Sequence, residues 1–152
     1  MVRRFIMILG WCFTIACQAQ DTVTVNDSWI QAAPPTAKVF AAYMEIVNHG
    51  DKPLTLTGIS VQGFERAEIH HSTIINNMAR MNKVDTLTIA PGTTQPFKPG
   101  GYHIMLINPS HSLAPGDKLT LQLNFAGLQK SAVFMVKRAP SGQPQHHHHH
   151  HH

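Results

Sequence analysis

The chain has 152 residues, 43% hydrophobic, 13% charged and 7% aromatic, the balance of a folded globular domain rather than a disordered chain. Twelve Lys and Arg stand against eight Asp and Glu, but Arg3 and Arg4 belong to the leader, and without them the net charge is +2. Charge that small and scattered does not form the basic stripe of a nucleic-acid binder.

The first 19 residues read as a secretory signal: Arg3 and Arg4 give a positive start, residues 5–16 an apolar stretch, and Cys17-Gln18-Ala19 a small-residue cleavage pattern. Cleavage after Ala19 is expected. The apolar stretch is shorter than the roughly 20 residues of a membrane span, and no later segment approaches that length, so a soluble periplasmic protein is expected. Acylation at Cys17 is the alternative, although Thr14 stands where such a lipoprotein signal usually carries an aliphatic residue. Both cysteines, Cys12 and Cys17, fall in this leader. A conventionally cleaved chain therefore has no thiol for a disulfide, for redox chemistry or for metal ligation.

From residue 21 to 139 a single domain is expected. Segments 22–30, 39–47, 54–61, 67–74, 79–84, 102–107, 119–125 and 132–137 are rich in β-branched, aromatic and aliphatic residues and read as about eight strands. Turn chemistry separates them at Pro34-Pro35, Gly50-Asp51, Gln62-Gly63, Pro91-Gly92, Pro99-Gly100-Gly101, Pro115-Gly116-Asp117 and Gly127. No long segment has helical periodicity. Leu119, Leu121, Leu123 and Phe125 alternate with polar residues, so that strand has one buried and one wet face. The pattern predicts an all-β sandwich or small barrel with Greek-key connections. Met44 and Met135, within apolar strands, read as core packing.

Residues 140–145 form a Pro/Gly/Ser/Gln linker into seven histidines, His146 to His152. A purification tag and a native metal-collecting tail both fit this run. If native, its imidazoles suit Cu(II).

Five histidines lie outside the tail, at 49, 70, 71, 103 and 111. Ser72 follows His71, but adjacency makes no triad and no G-x-S-x-G elbow is present. Glu65 and Glu68 are near neighbours in sequence, which on a β-domain surface usually means two solvated charges rather than an acid–base pair. No catalytic machinery is expected. In YHIMLIN, by contrast, His103 and Met105 are two apart and share one face of a strand. The segment IHHSTIINNMARM puts His70 and Met81 at the two ends of what reads as a hairpin, so two further donors can meet the first pair. Thioether sulfur prefers soft Cu(I), whereas zinc favours thiolate, imidazole and carboxylate, and calcium or magnesium requires oxygen. A His2Met2 set of His70, Met81, His103 and Met105 therefore points to one Cu(I) ion. Thioethers also suit an oxidising compartment, where thiolates would be drawn into disulfides.

These four residues carry a familiar spacing. Ten residues separate His70 from Met81, twenty-one separate Met81 from His103, and one separates His103 from Met105. With DSWIQAAPP, AAYMEIVNHGD, AEIHHS, ARMNKVDTLTIAPG, FKPGGYHIML and LAPGDKLTLQLNF, the pattern over residues 22–137 resembles the periplasmic copper chaperones called PCu(A)C proteins. The resemblance implies a cupredoxin-like β-sandwich and delivery of Cu(I) to the dinuclear copper site of cytochrome c oxidase, alongside Sco-type proteins; a monomer is expected. Copper sequestration through the same site is the alternative. An electron-transfer cupredoxin is disfavoured because a blue-copper centre needs a Cys ligand. His71, where many relatives carry Met, and Met78, in the Ile75-Asn76-Asn77-Met78 turn, are expected to be neighbours of the site rather than ligands.

Overall fold

The computed structural model describes residues 21–76 and 78–139; the expected signal peptide and the polyhistidine tail lie outside them. Ten strands follow in chain order: β1 (Val23–Gln31), β2 (Val39–Asn48), β3 (Leu54–Val61), β4 (Phe64–Ile75), β5 (Met78–Val84), β6 (Leu87–Ile89), β7 (Thr94–Phe97), β8 (Tyr102–Pro109), β9 (Lys118–Phe125) and β10 (Leu128–Lys137). All eight expected strands form, and β6 and β7 are additions. These two have three and four residues, too few for an alternation to be distinguished from chance. β7 also carries Pro96, which is tolerated because this short strand pairs only with β2, through Glu45 opposite Pro96, off the main path of the sheet.

The strands hydrogen-bond in the order β5-β4-β8-β2-β1-β10-β9-β3-β6. An additional pairing of β3 with β4, at Ile59 opposite Ala67, closes the sheet on itself. β8 lies between β4 and β2, and β1 runs parallel to β10 while the other pairings are antiparallel. These crossovers are of the Greek-key kind expected for a cupredoxin-like sandwich.

Alternation along each strand selects what goes inside. Phe40, Met44 and Ile46 of β2, Ile104 and Leu106 of β8, and Phe134 of β10 are fully buried in one continuous core. Removing each such side chain from water contributes about 1.5–3 kcal/mol. Leu121, Leu123 and Phe125 of β9 point inward as their alternation requires. Met135 does not. Its neighbours Phe134 and Val136 face the core, so period two turns Met135 outward, where it is 37% exposed beside Trp29 of β1.

One buried polar side chain ties three segments of the domain together. Asn48 Nδ2 donates to the carbonyls of Lys52 (2.8 Å), Ile89 (3.1 Å) and Ala90 (3.3 Å), and its Oδ1 accepts from the Gly50 amide (2.9 Å). It joins the end of β2 to the following turn and to the end of β6. A buried amide with these partners avoids the cost of desolvation without compensation.

Candidate metal centre

The site lies on the outer face of β5, β4 and β8. These three strands are in unbroken antiparallel register, so facing residues can be read directly. On β8, Ile104 and Leu106 enter the core, which leaves His103 and Met105 on the opposite face. On β4, Ile69 is buried against the core and His70 takes the outer face. His70 stands directly opposite His103, and Glu68 directly opposite Met105. The β4–β5 hairpin turns at Asn76, whose φ of 52° lies in the left-handed region that Asn tolerates. Its pairing sets Met81 opposite Ser72 and therefore diagonal to His70 on the same face. The four expected donors thus share one face of three adjacent strands.

Among the four donors His103 is the most recessed, His70 and Met105 are half-buried, and Met81 lies furthest out. His103 is 6% exposed, whereas Met81 is 41% exposed on the edge strand β5. The ring centroids of His70 and His103 are 6.0 Å apart at an interplanar angle of 33°, room for one ion at the roughly 2 Å metal–nitrogen distance of imidazole ligation.

Each histidine has one ring nitrogen engaged. His103 Nδ1 donates to the Gly101 carbonyl at 3.0 Å. This carbonyl belongs to the tight turn joining β7 and β8, in which the Gly101 amide bonds to Lys98 O at 3.0 Å and Gly100 adopts a φ of 79°. Pro99 followed by a left-handed glycine is the chemistry of a type II turn. On the other ring, His70 Nε2 donates to Glu68 Oε2 at 2.9 Å. His70 Nδ1 is buried and has no hydrogen-bond partner among the described residues. An orphaned buried imidazole nitrogen beside a second histidine and two thioethers fits a soft metal ion.

Electrostatics keep His103 ready for a metal. Burial pushes the His103 imidazole below its ordinary range; the Gly101 hydrogen bond opposes this, and His70 and His71 nearby reinforce it. The neutral ring is the form that ligates metals. The His70 hydrogen bond, with help from Lys83 and Arg66 and against some desolvation, holds the Glu68 carboxyl below the usual carboxylate range.

Other candidates fall elsewhere. His71 projects to the opposite side of β4 and stacks on Tyr102, ring centroids 4.1 Å apart. Met78, opposite Ile75, shares that second face; both residues are neighbours of the site. Because His71 and Ser72 are consecutive on a strand, they face opposite sides and make no nucleophile–base pair. Glu65 is engaged by Arg66 (2.6 Å) and Asn108 (2.5 Å). Among the described residues no group of three or more His, Cys, Asp and Glu is placed to hold a metal, and none of their helices is long and apolar enough to cross a membrane. What sequence reasoning missed is the attachment of Glu68 to His70. Its only signal is the i, i+2 spacing that puts both on one strand face.

Comparison with known proteins agrees with this architecture. The LpqE-like lipoprotein family model matches residues 23–136. "Putative lipoprotein Lxx21020" of Leifsonia xyli subsp. xyli is 27% identical over 123 residues, covering 80% of this chain and 73% of its own. The solution structure of CuI-DR1885 from Deinococcus radiodurans superposes with a TM-score of 0.66 at 26% identity, over 84% of this chain and 85% of that one. The copper-bound PCuAC domain from PmoF2 gives 0.65 at 21% identity, over 78% and 95% respectively. The chain belongs to the LpqE-like family and is built on the fold of the PCuAC domains.

Proposed function

We propose that this protein is an exported Cu(I) carrier that holds one ion through His70, Met81, His103 and Met105 and passes it to another protein. The observation that carries this reading is the convergence of the four donors on one face, with the orphaned Nδ1 of His70 beside His103. Two imidazoles and two thioethers select Cu(I) over zinc or the oxygen-seeking cations. The likeness to a Cu(I)-bound protein, DR1885, supports the same ion here.

Copper is cargo in this scheme, and the exposure gradient suits a handover. An incoming thiolate or imidazole can replace the outer thioether of Met81 first, while the recessed His103 retains the ion until the acceptor has engaged it. The copper-site subunit of cytochrome c oxidase is the acceptor that the PCu(A)C resemblance implies, with Sco-type proteins as co-workers. Titration with Cu(I) against a chromogenic chelator, with and without residues 141–152, should give one tight equivalent in both forms. Incubation with an oxidase copper-site domain, followed by separation and metal analysis, should find copper on the acceptor. Retention on this protein would favour sequestration.

A second reading concerns location. The family's lipoprotein description and the Leifsonia relative's name favour acylation at Cys17, which would tether the carrier to a membrane surface. Mass spectrometry of the exported chain decides between a diacylglyceryl-Cys17 terminus and cleavage after Ala19.

A further inference from the structure

We infer that Glu68 is a positioning residue that fixes the tautomer of His70, so that copper is held by Nδ1 of His70 and Nε2 of His103. The inference rests on the copper-carrier reading and deepens it. A carboxylate and a backbone carbonyl have something in common as partners of a neutral imidazole: they accept hydrogen bonds and cannot donate them. The contact of His70 Nε2 with Glu68 Oε2 at 2.9 Å therefore places the proton on Nε2 and the lone pair on Nδ1. The contact of His103 Nδ1 with the Gly101 carbonyl at 3.0 Å does the reverse, with the proton on Nδ1 and the lone pair on Nε2. His70 Nδ1 is the nitrogen left buried and, among the described residues, without a partner.

Glu68 is itself held in place. Its Oε1 lies 3.2 Å from Arg66 Nε and 3.5 Å from Lys83 Nζ, so the cations take one carboxylate oxygen and leave Oε2 for the imidazole. Lys83 is brought there by the ladder, because it stands directly opposite His70 on β5. The two ligating rings are thus oriented by different devices: His103 by a backbone carbonyl beside a turn, His70 by a side chain that can be changed alone. Groups that accept the hydrogen bond donated by the far nitrogen of a ligating imidazole fix its orientation, and their loss typically costs 10–100-fold in metal affinity.

The test uses the full chain carrying 15N-labelled histidine, with Glu68→Ala and Glu68→Gln compared to wild type. Long-range 1H–15N spectra of the metal-free proteins should show His70 protonated at Nε2 in wild type and in Glu68→Gln, whose amide oxygen still accepts, and mixed tautomers in Glu68→Ala. One equivalent of Cu(I) should shift His70 Nδ1 and His103 Nε2 while His70 Nε2 keeps its proton. Cu(I) affinity should fall about 10–100-fold in Glu68→Ala and stay within a few-fold of wild type in Glu68→Gln. Copper attached at His70 Nε2, or a Glu68→Ala protein with unchanged tautomer and affinity, would overturn the assignment. If Cu(I) moved neither histidine, the copper reading would fall, and with it the assignment of ligating nitrogens. The metal-free spectra would then still show whether Glu68 sets the tautomer.

Discussion

His70 and His103 stand directly opposite each other across the β4–β8 ladder, their ring centroids 6.0 Å apart. Because β4 and β8 are joined in sequence only through β5, β6 and β7, this contact exists only in the folded domain. Met105 and Met81 are then placed by strand periodicity on β8 and by hairpin register on β5. The metal centre is thus a property of three strands held in fixed register.

Replacing either thioether should be felt by copper and hardly by the fold. Met81→Leu and Met105→Leu nearly preserve volume, and exchanges of this kind usually cost less than about 1.5 kcal/mol. Each variant should bind Cu(I) at least about tenfold more weakly, equivalent to about 1.4 kcal/mol, in competition with a chromogenic chelator. Unchanged affinity in both would remove the methionines from the site.

The turn before β8 should depend on glycine for its backbone conformation. Gly100 has a φ of 79° and open space around the position of a Cβ, so Gly100→Ala meets no neighbour and suffers only the left-handed strain of about 1–2 kcal/mol. Chemical denaturation should show a loss of that size with the slope unchanged.

Asn48 is a buried polar joint between the end of β2, the turn that follows it and the end of β6. Asn48→Ala removes partners from the Lys52, Ile89 and Ala90 carbonyls and from the Gly50 amide. Each group left buried and unpaired costs about 1–3 kcal/mol, so thermal unfolding should reveal a loss of at least about 2 kcal/mol with Cu(I) stoichiometry unaltered.

Two methionines that look alike in sequence should behave differently. Met44 is fully buried, and Met44→Ala should cost about 2–5 kcal/mol. Met135 lies on the outer face, and Met135→Ala should stay within about 0.5 kcal/mol of wild type. Equal losses in urea denaturation would contradict the facing assigned to β10.

The contrast marks where sequence reading succeeds and fails. Strand β9 is legible because Leu121, Leu123 and Phe125 alternate with polar residues. Strand β10 is ambiguous because Ala132 to Val136 is apolar on both faces; Met135 lies beside Trp29, so its outer face is itself apolar. Strands β6 and β7 escape notice because three or four residues are too few to establish a period. Within the site, the i, i+2 spacing of His103 and Met105 determines their common face once the strand is recognised. The meeting of His70 with His103 does not follow from spacing, since it depends on which strands become neighbours in the sheet. The hold of Glu68 on His70 needs side-chain geometry as well as register.

The central claim is that His70, Met81, His103 and Met105 together hold one Cu(I) ion, and copper K-edge X-ray absorption of the protein loaded with one equivalent of Cu(I) tests it most directly. Wild type should show a first shell of two nitrogen and two sulfur scatterers, with one sulfur lost in Met81→Leu and one in Met105→Leu. A first shell without sulfur, or one that neither substitution changes, would contradict it.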